Sequence, residues 1–564
     1  MKFEDFKYVR PSMDEVKTRF DKLLKQFEAA DNFTEVDKIM SDIIKLRNEF
    51  ETMQTLVSIR HSINTVDEFY EKEMEFFNEN VPLYQEEVSK YYQCLLNSKF
   101  KNELEEKWGT HLFNIAELAL KTFSKEIIEE LQKENKLSSN YQKLIASAKI
   151  MFEGEERNLS QMAPFTQSLD RSMRKKAQLA ITDFFLENEA KFDEIYDELV
   201  HVRNNMAKKL GYDNYVKLGY DRLSRTDYDV NMVANYRKQV LEDLVPVAQK
   251  LLNRQAKRLG VESLKYYDEG LRFLSGNAKP KGDEPWLVNN AKQMYHELSP
   301  ETDEFFTLMT ENNLMDLVAK KGKAGGGYCT FINNYKSPFI FANFNGTSGD
   351  VDVLTHEAGH AFQVYNSREY EVPEYTWPTY EACEIHSMSM EFLTWPWMKL
   401  FFQEDEAKYK FAHLNDALLF IPYGVLVDEF QHFVYENPNV SPQERKAKWR
   451  EIEKKYLPHK DYEDNDFYNR GGYWFRQGHI FGTPFYYIDY TLAQVCAFQY
   501  WVKSRENREQ AWDSYLKLCK LGGTKPFLEL AKLAGLQNPF EDGSIKSVIE
   551  PIEAYLNQVD DAKL

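Results

Sequence analysis

The chain has 564 residues, of which 43% are hydrophobic, and it carries a formal net charge of −19. This length is too great for one small hydrophobic core, so we expect at least two domains. The acidic balance argues against a nucleic-acid partner, which would require a basic surface.

Three features of the sequence bear on the location of the protein. The first residues, Met1–Phe6, lack the pattern of a signal peptide, and no apolar run approaches the ~18 residues of a membrane span. The five cysteines are odd in number and scattered along the chain, which is typical of reduced thiols rather than of a disulfide framework. We therefore expect a cytoplasmic protein without a membrane span.

The first 150 residues predict long helices, because they contain only one glycine and two prolines. Ser12 and Glu15 have the spacing of a capping box, which predicts the start of one helix, and Thr34 is expected to start a second. Paired helices with charged outer faces indicate a helical bundle or wall, and a coiled-coil arm that binds a partner is the alternative. A domain boundary is predicted near Pro164, where polar residues surround a proline. This divides the chain into an N-terminal helical region, residues 1–170, and a region that carries the motifs described next, residues 171–564.

The segment Ser337–Phe344 alternates and is rich in aromatic residues, which predicts a short strand in an otherwise helical region. If the protein binds an extended peptide, the peptide can add to such a strand at a sheet edge through main-chain hydrogen bonds. Phe341 and Ala342 are then the residues predicted to contact it. The preceding glycines, 325–327, form either a mobile loop over the binding cleft or a plain turn.

The segment His356-Glu357-Ala358-Gly359-His360 contains the pattern His-Glu-x-x-His. On a helix, His356 and His360 lie one turn apart on the same face and can direct two imidazole nitrogens at one metal ion. Two neutral imidazoles suit zinc, and the Glu357 carboxylate can take a proton from an activated water molecule. The motif therefore predicts a hydrolytic site with two zinc ligands and a general base, and a third ligand must come from elsewhere.

The third ligand is predicted on the next helix. In one class of zinc peptidases a third histidine closely follows the motif, but Gln363 and Asn366 stand at the corresponding positions here. Residues 378–392 predict a helix with several acidic side chains in apolar, methionine-rich surroundings. Spacing alone leaves four candidate ligands on this helix: Glu381, Glu384, His386 and Glu391.

A tyrosine-rich segment lies farther along the chain. Residues 478–490 combine a histidine, a Gly/Pro turn and three tyrosines, and they lead into a helix. A zinc peptidase needs hydrogen-bond donors for the oxyanion that forms at the attacked carbonyl, and this segment is the candidate source of them. Arg470 and Arg476 lie just upstream and are predicted to hold a peptide carboxylate, with a structural salt bridge as the alternative.

The motif in residues 355–362, followed by Glu384-Ile385-His386-Ser387 and by Glu391, resembles the thimet oligopeptidase and oligoendopeptidase F family of zinc peptidases, which includes the Pz-peptidases. The resemblance implies that Glu384 is the third zinc ligand. His386 stands where relatives often have a small residue or proline, and it is itself a possible ligand.

The resemblance also implies roles in the tyrosine-rich segment. His479 and Tyr490 match the residues that stabilise the oxyanion, and either Tyr486 or Tyr487 is expected to face the substrate.

Carboxylates near the ligands are predicted to orient them. A ligating histidine usually donates its second N–H to a carboxylate or carbonyl. Asp352 precedes His356 by one turn, and Glu391 follows Glu384 by two turns. Either carboxylate could orient a ligand, and the alternatives are a solvated aspartate at a helix start and an ordinary buried ion pair.

The resemblance implies a mainly α architecture, in which two helical lobes enclose a deep substrate channel and a small β-sheet lies beside the zinc-binding helix. The implied function is that of a zinc-dependent oligoendopeptidase with one Zn2+ per chain, which hydrolyses internal bonds of short peptides, with collagen-like Gly/Pro peptides as one candidate class. The alternative is a helical, chaperone-like scaffold that binds peptides and has a structural metal site. His386 would favour that alternative, because a fourth protein ligand would close the site.

Overall fold

The protein is mainly helical and has two small β-sheets, which confirms the predicted fold class. The structure is a computed structural model that describes residues 1–564. The N-terminal helices are α1 (Met13–Ala29), α2 (Phe33–Ile63), α3 (Glu68–Leu96), α4 (Lys101–Trp108) and α5 (Thr110–Thr122).

Capping side chains determine where the first two helices begin. The Ser12 hydroxyl accepts a hydrogen bond from the Glu15 N–H, so α1 begins where the sequence predicts. Asn32, rather than Thr34, caps α2, since its side-chain oxygen accepts from the Glu35 N–H. Asparagine is among the strongest capping residues, and helix α2 therefore starts before the predicted position.

The N-terminal helices bury a hydrophobic core of their own. Its residues lie between Val16 and Ala116 and are joined by Val372 and Tyr375 from the C-terminal part of the chain. The main core also includes side chains that precede residue 170 in the chain, such as that of Tyr141. The boundary at residue 170 stays a prediction.

The middle of the chain continues with helices and one short hairpin. Its elements are α6 (Ile128–Ala146), β1 (Ile150–Phe152), β2 (Glu155–Arg157), α7 (Ala163–Thr166), α8 (Arg171–Glu187), α9 (Glu189–Lys209), α10 (Tyr215–Arg222), α11 (Val230–Gln239), α12 (Val245–Arg258), α13 (Glu284–Leu298) and α14 (Pro300–Glu311).

A three-stranded sheet follows and lies against the helix that carries the His-Glu-x-x-His motif. Its strands are β3 (Met315–Val318), β4 (Tyr328–Ile332) and β5 (Ser337–Phe344). The spatial order is β3-β5-β4, with β5 parallel to β3 and antiparallel to β4. Strand β5 is therefore the central strand, and β4 is an edge strand.

The C-terminal part is again helical and supplies most of the main core. Its helices are α15 (Gly349–Ser367), α16 (Tyr380–Leu393), α17 (Met398–Phe402), α18 (Glu406–Glu436), α19 (Pro442–Tyr456), α20 (Asp466–Asn469), α21 (Gly478–Gly482), α22 (Tyr487–Glu506), α23 (Arg508–Leu521), α24 (Phe527–Leu533) and α25 (Ser544–Gln558).

One stretch, Tyr380–Glu436, is long and apolar enough to match a membrane span by composition, which the sequence reading did not anticipate. It comprises three helices rather than one, and Gln403 interrupts it with a positive φ of 49°. In its most apolar window, 67% of the residues are buried inside the protein. Core packing thus accounts for its apolar character.

Candidate active site

The structure brings together three potential metal ligands, His356, His360 and Glu384, which we call the ligand triad. The Nε2 atoms of both histidines lie 3.2 Å from the same oxygen, Oε2 of Glu384. The candidate ligand atoms all lie within 4.8 Å of one another. The histidines come from α15 and the glutamate from α16, so the triad exists only where these two helices cross.

Gly359 allows the two helices to approach this closely. A Cβ atom at residue 359 would lie 2.6 Å from the His386 carbonyl oxygen and 2.7 Å from Ser387 Cα. Real Cβ atoms do not come this close to backbone atoms, so any larger residue would push α16 away from α15. The glycine inside the motif therefore positions Glu384 opposite the two histidines.

The donor chemistry of the triad fits a transition metal such as zinc. Two imidazole nitrogens and one carboxylate oxygen form a donor set that catalytic zinc sites use, with a position left for water or substrate. His356 donates its Nδ1–H to Glu391 Oε1 at 2.7 Å, which leaves the Nε2 lone pair for a metal. Burial alone would raise the pKa of Glu384, but His360 and His356 lower that pKa well below its usual value, which keeps the carboxylate ionised.

Glu391 links His356 to a second histidine that the sequence reading missed. Its Oε2 accepts from His413 Nε2 at 2.8 Å, and Trp395 Nε1 donates to His413 Nδ1 at 3.1 Å. A carboxylate held in this way can orient the ring of a metal-binding histidine. His413 is one of two histidines on α18, and nothing in its spacing connects it to the motif.

Replacing Glu391 by Gln is expected to weaken metal binding by about 10- to 100-fold, because the amide lacks the charge that strengthens the hydrogen bond from His356. Competition with a chromophoric chelator measures the affinity. Glu404→Gln removes a carboxylate that is 72% exposed and serves as the control with unchanged affinity. Equal affinities of the wild type and the Glu391 variant would contradict an orienting role for this residue.

Asp352, the other carboxylate predicted to orient a ligand, is engaged elsewhere. Its Oδ1 accepts a hydrogen bond from Tyr409 Oη on α18 at 2.6 Å. Burial raises the pKa of Asp352 to about 6. It makes no hydrogen bond to a member of the ligand triad, so the structure places it among the contacts between α15 and α18.

Glu357 lies beside the triad with a free carboxylate oxygen. The residue is 5% exposed, and its Oε2 has no hydrogen-bond partner. Burial raises the pKa of Glu357, which makes its carboxylate a stronger base. Space for this carboxylate depends on Gly327, since a Cβ atom there would lie 3.2 Å from Glu357 Oε1. The glycines predicted as a loop or a turn thus pass directly over the candidate base.

Two cavities meet at this site. The triad cavity, of about 600 Å3, contains the triad, Glu357, Tyr486 and the start of β4. The adjacent cavity, of about 480 Å3, contains Tyr487, Gln477 and Arg272. His479 and Tyr490 line both cavities. A ligand that occupied both would therefore pass these two side chains.

The tyrosine-rich segment contacts the triad directly. Tyr486 Oη donates to Glu384 Oε1, while Tyr487 packs near His479 with ring centroids 5.2 Å apart. His479 Nε2 lies 3.1 Å from Tyr490 Oη. Of the two tyrosines that the sequence left open, Tyr486 faces the triad and Tyr487 faces the adjacent cavity.

An unusual backbone conformation orients Tyr486. The preceding residue, Phe485, has a φ of 68°, which is rare for a large side chain. Arg225 donates to the Phe485 carbonyl, and the Phe485 N–H donates to Gln431 Oε1 at 2.9 Å. Arg225 and Gln431 therefore help to hold the strained residue and with it the direction of Tyr486, and sequence reasoning missed both.

The predicted contacts of Phe341 and Ala342 with a peptide need correction. Both residues are fully buried in β5, whose two sides already pair with β3 and β4. The sheet has two edge strands, β3 and β4. Of these, β4 borders the triad cavity, which residues 327–330 line. An added peptide strand would pair with β4, because only an edge strand has unpaired N–H and C=O groups.

The predicted roles of Arg470 and Arg476 also need correction. Arg470 forms ion pairs with Glu189 and Asp466 at 2.8 Å each. The Arg476 guanidinium lies 4.1 Å from the ring centroid of Tyr473. Neither arginine lines either cavity. The alternative of a structural salt bridge describes Arg470, whereas Arg476 packs against tyrosine rings.

His386 does not belong to the ligand triad. It is fully buried, and neither ring nitrogen has a hydrogen-bond partner. Its ring packs near Tyr515 on α23, with centroids 6.1 Å apart. Because His386 follows Glu384 by two residues, the helix turns its side chain away from α15.

The family models and the solved structures that this chain resembles are those of peptidases, and the matches extend over almost its whole length. Residues 3–123 match the peptidase M3 N-terminal domain, and residues 165–549 match peptidase family M3. The structure of a PZ peptidase A with an inhibitor is 61% identical, with a TM-score of 0.99 and full coverage of both chains. A structure of an oligoendopeptidase F from Bacillus anthracis is 57% identical, with a TM-score of 0.95, and the match covers 100% of this chain and 99% of that one.

A more distant relative is the oligoendopeptidase F homologue of Borreliella burgdorferi. It is 24% identical over 405 residues, which are 70% of this chain and 66% of the relative. The chain thus spans just under two thirds of the length of this relative. The family match by itself covers well over half of the chain. The chain therefore belongs to peptidase family M3.

Proposed function

We propose that the protein is a zinc-dependent oligoendopeptidase that hydrolyses internal bonds of short peptides. The observation that carries the proposal is the convergence of the ligand triad beside Glu357, a buried carboxylate with a free oxygen. Zinc held by His356, His360 and Glu384 would supply the Lewis acidity that activates water and polarises the scissile carbonyl.

The remaining chemistry falls to side chains of the protein. Glu357 takes a proton from the attacking water and later passes it to the leaving amine, for which its raised pKa is suited. We assign His479 and Tyr490, which lie 3.1 Å apart and line both cavities, as the hydrogen-bond donors to the developing oxyanion. Tyr486 holds the carboxylate of Glu384 from the side opposite Ser387.

The shape of the site favours short, extended substrates. The free edge of β4 can pair with a peptide backbone, and the two cavities provide about 600 and 480 Å3 on either side of His479 and Tyr490. Cavities of this size hold a few residues but not a folded domain. The similarity to a PZ peptidase makes collagen-like Gly/Pro peptides one class to include among test substrates.

Zinc analysis and a cleavage assay test this proposal together. We expect one zinc per chain, cleavage of an internally quenched oligopeptide, and loss of cleavage after dialysis against a chelator that returns on addition of zinc. A folded control protein that contains the same cleavage sequence should remain intact. Peptide binding without hydrolysis in the zinc-loaded protein would instead support the alternative of a peptide-binding scaffold.

A further inference from the structure

A chain of hydrogen bonds reaches His479 from the side away from Tyr490. Tyr423 Oη, on α18, donates to Gln477 Oε1 at 3.0 Å. Gln477 Nε2 lies 2.9 Å from His479 Nδ1, and His479 Nε2 lies 3.1 Å from Tyr490 Oη. Gln477 has no part in the mechanism proposed above, yet it is the side chain that contacts the second nitrogen of His479.

The order of donors and acceptors in this chain has a consequence for the imidazole. An amide side chain has one accepting end and one donating end. Since Tyr423 donates to Oε1, the Nε2–H of Gln477 faces His479 and donates to Nδ1. A neutral imidazole carries one N–H, so a ring that accepts at Nδ1 must carry its proton on Nε2. Burial lowers the pKa of His479 to about 4, which leaves the ring neutral near neutral pH.

We propose that Gln477, oriented by Tyr423, is a positioning residue that holds the proton of His479 on Nε2, the nitrogen that faces Tyr490. The inference rests on the proposed function, in which that N–H serves the oxyanion. In the other tautomer Nε2 would present a lone pair, which repels a developing negative charge instead of stabilising it. Gln477 acts through His479 and need not touch the reacting atoms itself.

Two substitutions of similar size separate this role from simple packing. Gln477→Glu preserves shape and polarity but can only accept, so it draws the proton to Nδ1. At about pH 9, where the ring stays neutral, we expect kcat to fall by about 100-fold and KM to change by less than about 3-fold. Gln477→Met neither donates nor accepts, so both tautomers remain available and kcat should fall by less than about 10-fold.

The ranking of the variants decides between the two roles. A packing role predicts that the polar, isosteric Glu variant is the more active one, and that result would overturn the proposal. Tyr423→Phe removes the group that orients the amide without touching His479. It should lower kcat by less than Gln477→Glu does, again with little change in KM, and a wild-type kcat in this variant would show that Tyr423 has no orienting role.

A spectroscopic measurement tests the tautomer without any assay of activity. Nitrogen-15 NMR of histidine-labelled, zinc-loaded protein distinguishes protonated from unprotonated ring nitrogens, and loss of a signal in His479→Gln assigns it. We expect His479 to carry its proton on Nε2 in the wild type and on Nδ1 in Gln477→Glu. A wild-type proton on Nδ1 would overturn the proposal. Because the spectrum is read whether or not peptides are cleaved, failure of this inference and failure of the proposed function are distinguishable.

Discussion

Replacing Glu357 by Gln is expected to lower kcat by about 10²- to 10⁴-fold while leaving zinc binding intact. The amide is nearly isosteric with the carboxylate but cannot accept a proton from water. Glu357 belongs to the same helix as His356 and His360 but is not one of the three converging ligands. Its free Oε2 lies buried beside the triad, where removal of the carboxylate should not disturb metal binding.

Kinetics on a quenched peptide and metal analysis by mass spectrometry check this prediction together. Glu357→Asp keeps a carboxylate but withdraws it by one methylene, so its activity should lie between those of the wild type and the Gln variant. Zinc content and melting temperature of the Gln variant should match those of the wild type. A variant that lost zinc along with activity would show that Glu357 is a ligand or a structural group rather than the base.

Replacing Glu384 by Gln is expected to abolish zinc binding at stoichiometric metal and activity with it. The change removes the negative charge from the point where both histidine Nε2 atoms converge at 3.2 Å. The loss of affinity should exceed the roughly 100-fold that removal of a merely orienting group causes. The amide oxygen can still accept from Tyr486 or Ser387, so the fold should survive the substitution.

His386→Leu is the matched control for this ligand assignment, because it changes a buried side chain two residues away on the same helix. Neither ring nitrogen of His386 has a partner, so an apolar side chain of similar size leaves no hydrogen bond broken. This variant should bind zinc normally and be at least as stable as the wild type. Loss of zinc in His386→Leu, with retention in Glu384→Gln, would exchange the two assignments.

Local spacing was sufficient for the features that depend on one helix. Residues four apart share a face of any α-helix, so His356 and His360 could be paired before the fold was known. Ser12 as a helix cap and the mainly helical fold class follow from similarly local rules.

Contacts between elements could not be derived in the same way. Spacing alone left four admissible ligands, because the choice depends on which face and which turn of α16 meets α15: Glu381, Glu384, His386 and Glu391. The close approach at Gly359 decides that crossing, and only then does Glu384 lie opposite the histidines.

The order of the strands in the sheet could not be predicted from the sequence either. The alternation of residues 337–344 indicates a strand, but it carries no information about the neighbours of that strand. Because β5 pairs with both β3 and β4, its main-chain groups are occupied. A peptide would therefore pair with the edge strand β4 and not with Phe341 or Ala342.

The sequence by itself determined the helical fold class and the motif with two histidines and a carboxylate, since both follow from periodicity within one segment. Family resemblance then selected Glu384, His479 and Tyr490. The sequence also offered Glu391 as a carboxylate that orients a ligand. Only the tertiary structure decided which residues it joins, His356 and His413, and that Gln477 and Tyr423 lie beside His479. These partners are distant in sequence or lie on separate elements, and a hydrogen bond between them exists only after the helices have packed.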